Sequence, residues 1–116
     1  MAVVLVADDE KMIRALAAAA LKSAGHEVVT AANGVEAAAL YRSSPDRIDV
    51  VVTDLKMPVM DGYQAVRLIR ESRPAAKIVC MSGFFDEEPP PGVVCLHKPF
   101  LPAALRDCIE KLVSGK

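Results

Sequence analysis

Tryptophan is absent, and two tyrosines and three phenylalanines hold the aromatic content to 4%. A core of stacked rings is excluded. Alanine, valine and leucine must carry the interior, which favours small-residue helices lying close on a valine-rich sheet. Charge of one sign is lacking too. Fourteen basic and 15 acidic residues leave a formal −1, so direct nucleic-acid binding and a polybasic membrane contact are not expected. No long hydrophobic run exists. The longest, Met1–Ala7 and Ala15–Leu21, are seven residues each, far short of the roughly 20 that span a bilayer. Asp8-Asp9-Glu10 ends the first of them with no basic segment before it, so no secretory signal is expected and the expected location is cytoplasmic. Cys80, Cys95 and Cys108 form no CxxC pair and read as reduced, buried small hydrophobes.

What is present is a 53% hydrophobic chain of 116 residues, sized for one domain over residues 1–116. Val3–Val6 reads as a short apolar strand. Glu10–Ala24 turns helical, with Ile13, Leu16, Ala17, Ala20 and Leu21 on one stripe and Gly25 to stop it. Glu27–Ala31 is a less apolar strand and so belongs at an edge. Asn33-Gly34 opens a helix with Val35, Ala38 and Ala39 on one face. Ile48–Thr53 contains three consecutive valines, the mark of a strand buried on both faces. A helix over Gly62–Ser72, with Ala65, Val66 and Ile69 inward, follows the loop Lys56–Met60. Strands at Lys77–Met81 and Val93–Leu96 come next. The last helix has Pro102 at its first position and Leu101, Leu105, Cys108, Ile109 and Leu112 as its stripe.

Strands alternating with helices imply crossover connections and a parallel sheet covered on both faces. One alternation is defective. Phe84–Pro91 offers eight residues ending in three prolines, too few and too proline-rich for a helix of about 11 residues. A loop or single turn is expected there.

Open parallel sheets gather their working residues beyond the carboxyl ends of the strands, where strand order reverses. Those ends carry Asp8-Asp9, Asp54, Ser82 and Lys98. Converging carboxylates repel unless a cation sits among them, and Mg²⁺, with its preference for carboxylate, water and phosphate oxygens, suits the set. An aspartate beside such an ion can attack phosphorus. Lys98 would add a second cation and Ser82 a hydroxyl donor. Asp54, ending a buried strand, is the natural nucleophile. Each residue alone has a plainer reading: Asp8 or Asp9 as a helix cap, Ser82-Gly83 as a turn, Lys98-Pro99 as a solvated lysine before a bend. Four strand ends together do not. His26, placed in an exposed loop, and His97, beside the site, are read as neither ligands nor phosphoacceptors.

These residues bring out a family pattern. Leu5-Val6-Ala7-Asp8-Asp9-Glu10, the block from Asp54 to Gly62 of form D-x-x-M-P-x-M-D-G, Met81-Ser82-Gly83 and Lys98-Pro99-Phe100 resemble the receiver (CheY-like) domain of response regulators in two-component systems. The resemblance covers essentially the whole chain. It implies a doubly wound five-stranded parallel sheet of order 2-1-3-4-5, a flavodoxin/CheY-like α/β fold, from which this chain is expected to depart in having the fourth helix missing or reduced to a loop. It implies Asp54 as phosphoacceptor, with Asp9 on Mg²⁺ directly, Asp8 through water, and the backbone carbonyl of Lys56 completing the ligands. Ser82 and Lys98 would hold the phosphoryl group, and Lys98-Pro99 would be cis. The donor would be a phosphohistidine of a sensor histidine kinase or histidine phosphotransfer protein, and the output an unknown downstream protein target. The domain would be regulatory, acting only on its own phosphorylation.

The chain departs from the pattern at Cys95, three residues before Lys98, where the family carries an aromatic that swings inward on activation. A cysteine is too small for that lever, which puts the Ser82–residue 95 switch in doubt. The Ser82–Lys98 stretch resembles receivers of hybrid histidine kinases. Lys56 and Phe84, two residues beyond Asp54 and Ser82, would border the path of attacking water and slow dephosphorylation. Three alternatives fit less well. A haloacid-dehalogenase-type phosphatase needs D-x-D after its first strand, a flavodoxin-like FMN carrier would be repelled by Asp8-Asp9-Glu10, and a phosphorylation-silent docking receiver would not need the full acidic and lysine set.

Overall fold

The valine runs do line the inside of a sheet. In the computed structural model, which describes residues 2–44, 46–57, 59–83 and 88–114, five strands alternate with four helices. They are β1 (Val3–Ala7), α1 (Lys11–Ser23), β2 (Glu27–Ala31), α2 (Gly34–Ser43), β3 (Val50–Asp54), α3 (Gly62–Ser72), β4 (Lys77–Ser82), β5 (Val94–His97) and α4 (Pro102–Ser114). All pairings are parallel and the order is β2-β1-β3-β4-β5. β3 is buried along its whole length, and β2 stands at an edge as its weaker hydrophobicity implied.

Two apolar layers sandwich the sheet. Leu5, Val51, Leu55 and Cys80 pack against Ala37 and Tyr41 of α2 and Val66 and Ile69 of α3. Val4, Val6, Val52 and Met81, from the alternate positions, pack against Ala17 and Leu21 of α1 and Leu105 and Ile109 of α4. The period-2 alternation of strand side chains makes this division. Burying each such leucine or isoleucine contributes about 1.5–3 kcal/mol.

The expected fold class needs one correction. A fold with its fourth helix missing or reduced to a loop is not what the chain adopts: α4 is present as a 13-residue helix. Pro102 opens it, and the Leu105 and Ile109 side chains, one turn apart and fully buried, anchor it on the sheet. Between β4 and β5 the described residues, 83 and 88–93, are bend, turn and irregular backbone, because Pro89, Pro90 and Pro91 lack the N–H groups a helix interior requires.

Smaller corrections concern helix phase. Leu16 and Val35 are exposed, whereas α1 buries Ala18 and α2 buries Ala37 and Tyr41. Leu101 lies outside the α4 core and is exposed. Of the cysteines, Cys80 is buried but Cys95 and Cys108 are only partly so. Burial pushes the Cys80 thiol up to about 12, with help from Cys95, so it is inert as a nucleophile. His26 is not in an exposed loop. Its ring is buried just before β2, where Nδ1 accepts from the Ala2 N–H at 3.1 Å and Nε2 faces Glu110 Oε1 at 3.2 Å.

Candidate functional site

The carboxyl ends of β1, β3 and β4 and the residue following β5 meet at one rim. Asp8 and Asp9 leave β1, Asp54 ends β3, Ser82 ends β4, and Lys98 follows β5. Asp8, Asp54 and Ser82 are buried, while Asp9 is exposed. Carboxylate oxygens of Asp8, Asp9 and Asp54 all lie within 4.8 Å of one another. Into this group reaches the Lys98 ammonium. It donates to Asp8 Oδ2 at 2.8 Å and to Asp54 Oδ2 at 3.2 Å, with Glu10 Oε1 at 3.6 Å.

Local structure holds each member in place. Asp8 Oδ1 accepts the Glu10 N–H at 2.8 Å. It therefore does not cap α1, whose N-cap residue Glu10 makes no side-chain cap bond either. The plainer reading of the acidic pair as helix caps fails. On α2 and α3 that reading would have succeeded, since Asn33 accepts from the Glu36 N–H and Asp61 from the Gln64 N–H.

The loop after Asp54 is closed at two glycines. Gly62 donates its N–H to the Leu55 carbonyl at 3.0 Å, and a β-carbon there would collide with the Asp54 carbonyl. Gly34 donates to the Met60 carbonyl at 3.1 Å, where a β-carbon would likewise collide. Val59, between them, is exposed and held at φ +71°, a conformation costly for a β-branched residue.

The electrostatics show a site short of positive charge. Burial pushes the Asp54 carboxyl above its ordinary value. The Lys98 charge opposes this, the Asp8 charge adds to it, and the upward shift prevails. For Lys98, burial pulls the ammonium down, but the hydrogen bond it donates to Asp8 and the charges of Asp54 and Asp8 outweigh it, and its pKa ends above the lysine norm. One ammonium shared among three acids leaves room in the charge balance for a further cation. Oxygen donors in that number and spacing suit a hard divalent ion.

The remaining residues named from the sequence fall as follows. Lys56 is exposed at the rim, and its N–H points at Asp54 Oδ1 at a long 3.4 Å. Cys95 lies within β5, partly buried, directly across from Cys80. His97 is exposed at the end of β5. Phe84 lies outside the described residues. The Lys98-Pro99 peptide is cis. Sequence reasoning missed Arg14, whose Nη1 donates to the Asp8 carbonyl at 2.7 Å. A basic residue in the first turn of a helix, where cations are disfavoured, was the available signal.

Comparison with known proteins agrees with this arrangement. Residues 4–110 match the response regulator receiver domain family. The chain is 37% identical over 86 residues to the sensor kinase CckA of Brucella abortus, an alignment covering 74% of this chain and 9% of that kinase. It is 33% identical to the response regulator receiver protein CpdR of the same organism, with 95% of each chain covered. Among solved structures, the CheX–CheY–BeF3–Mg²⁺ complex of Borrelia burgdorferi contains a chain that superposes with a TM-score of 0.89 at 26% identity, covering 96% of this chain and 88% of that one. No described helix is long and apolar enough to cross a membrane. The clustered acids, the lysine that reaches them from the fifth strand, and the family match over 4–110 lead to one statement: the chain belongs to the response regulator receiver family, the regulatory phosphoacceptor domains of two-component phosphorelays.

Proposed function

We propose that residues 1–116 form one receiver unit whose Asp54 takes a phosphoryl group from a phosphohistidine of a sensor histidine kinase or histidine phosphotransfer protein. A carboxylate oxygen of Asp54 forms the new bond to phosphorus while the phosphorus–nitrogen bond to the donor imidazole breaks. The observation that carries this reading is the Lys98 ammonium, 3.2 Å from Asp54 and 2.8 Å from Asp8. It can neutralise the charge that builds on the transferring group, which is most of what such a transfer requires.

The cation set is the second part. Asp9, exposed at the cleft, would contact Mg²⁺ directly. Asp8, with Oδ1 and Oδ2 already engaged by Glu10 and Lys98, would act through water, and the Lys56 carbonyl would complete the protein ligands. When bound, Mg²⁺ supplies the charge that lets carboxylates and phosphoryl oxygens share one cleft. A related chain solved in a complex with BeF3 and Mg²⁺ supports the choice of Mg²⁺ as the ion.

Ser82, buried at the end of β4, would hydrogen-bond the phosphoryl oxygens and shift toward them. Cys95 takes the position of the switching aromatic without its reach. Lys56 and Phe84 would border the water path and lengthen the life of the acyl phosphate. The domain would act only on its own phosphorylation and dephosphorylation, and its altered surface would bind a downstream protein target.

Incubation with Mg²⁺ and acetyl phosphate, followed by intact mass, tests the proposal. Wild type gains one phosphoryl group and Asp54→Ala gains none. Incorporation by the variant, or its absence in wild type, defeats the assignment.

A further inference from the structure

We infer that Arg14 is a positioning residue for the acidic pair Asp8-Asp9, fixing the peptide plane between them so that Asp9 is presented to a divalent cation. This rests on the reading of the acidic cluster given above. Its starting point is an anomaly in α1. Two other helices that begin at this rim are capped by side chains, α2 by Asn33 and α3 by Asp61. Helix α1 has no side-chain cap and no acid in its first turn. It carries Lys11 and Arg14 there instead, facing the positive end of the helix dipole.

A sequence that breaks a local rule usually gains something elsewhere, and the geometry shows what. Half-buried Arg14 reaches back past the start of its own helix, and its Nη1 donates to the Asp8 carbonyl at 2.7 Å. That carbonyl belongs to the planar peptide unit joining Asp8 to Asp9. The other polar atoms of Asp8 are engaged as well. Its N–H donates to the Ala31 carbonyl at 3.1 Å, Oδ1 accepts from the Glu10 N–H, and Oδ2 accepts from Lys98. With the guanidinium on the remaining acceptor, Asp8 has one orientation and so does the peptide leading out of it. Asp9, exposed beyond β1, inherits its direction from that plane. Asp8 is held by contacts on all sides, whereas Asp9 is aimed by the backbone behind it.

Calorimetric titration of Mg²⁺ into the unphosphorylated protein tests the inference with Arg14→Met and Arg14→Lys. Arg14→Met weakens Mg²⁺ binding about 10-fold, the lower end of what loss of a supporting hydrogen bond behind a metal ligand costs. Arg14→Lys, which keeps a donor and the charge, stays within about threefold of wild type. In acetyl phosphate reactions the half-saturating Mg²⁺ concentration of Arg14→Met rises by the same factor, while the rate at saturating Mg²⁺ changes less than about twofold.

A merely structural role would lower the melting temperature without moving the Mg²⁺ midpoint. A purely electrostatic role would tighten binding, because a neighbouring cation has been removed. Unchanged or tighter binding in Arg14→Met overturns the inference. If Arg14→Met does not fold, Arg14→Gln is read by the same criterion. Failure of wild type to bind Mg²⁺ overturns the reading of the cluster instead, so the two failures are distinguishable.

Discussion

The two ends of the sheet treat their polar groups in opposite ways. At the amino ends of the strands, several polar groups have partners of their own. Val3 donates to Asp49 Oδ2 at 2.7 Å and accepts from the Asp49 N–H at 2.8 Å. His26 links the Ala2 N–H to Glu110 of α4. Since Nδ1 accepts, Nε2 carries the ring proton and donates to Glu110. Exposed Glu27 pairs with exposed Arg47. At the carboxyl ends, Asp8, Glu10 and Asp54 compete for the one ammonium of Lys98. The first rim is closed chemistry, which serves stability. The second is held out of balance, and a site that must receive an ion and a phosphoryl group has reason to be so.

The contrast can be broken from either side. Lys98→Met removes the shared cation and should slow phosphorylation by acetyl phosphate by about two to three orders of magnitude, as loss of a charge-stabilising donor does. Single-turnover mass spectrometry measures it, and a rate near wild type would remove the lysine from the mechanism.

His26→Ala attacks the closed rim. It leaves the Ala2 N–H without its acceptor in a buried place and should cost about 2 kcal/mol in urea unfolding. Phosphorylation should be unaffected, and a comparable loss of rate would show that the rims are not independent.

Asp54→Asn sharpens the comparison through pH. The folded Asp54 carboxyl is raised by burial, so between its unfolded value and its folded one the native state holds more protons. The stability it contributes is therefore present below the unfolded value and lost as pH rises through the folded one. Without Mg²⁺, Asp54→Asn should be more stable than wild type at pH 7 by about 1 kcal/mol, with a flatter pH profile from the acid side. A less stable variant would contradict the imbalance.

Val59→Asn is the mildest change. Asparagine tolerates the left-handed conformation that Val59 holds at φ +71°, and the gain should be about 0.5 kcal/mol in thermal unfolding. No gain would mean that the valine is not strained there.

The strands were legible because their apolar runs are short and bounded by acids, glycines and prolines. β2, α3 and the start of β4 fall where the pattern puts them, at Glu27–Ala31, Gly62–Ser72 and Lys77. Helix phase was less legible in α1 and α2. Alanine on every side gives a periodicity little to work with, so Leu16 and Val35 were placed inward and lie outward. The last helix was legible from Pro102 and the Leu105–Ile109 stripe, so the expectation of a missing fourth helix came from the three prolines between β4 and β5 and not from α4 itself. At the site, Asp8, Asp9, Asp54, Ser82 and Lys98 were found because strand ends are predictable places. Arg14 and His26 were not: Arg14 reaches only six positions back, to the Asp8 carbonyl, signalled by nothing but its place in a first helical turn, and the contacts of His26 are set by tertiary packing. For His26 the decisive neighbour, Glu110, is 84 positions away, a distance over which no local pattern speaks.

One backbone contact at the rim has a mechanical consequence. The Lys98 N–H donates to the Ser82 carbonyl at 2.7 Å, yoking the last residue of one strand to the first residue beyond its neighbour. A backbone shift of either residue is therefore passed to the other, although each side chain keeps its own torsions. Any displacement of that pair of peptides tugs on β5, an edge strand of the sheet.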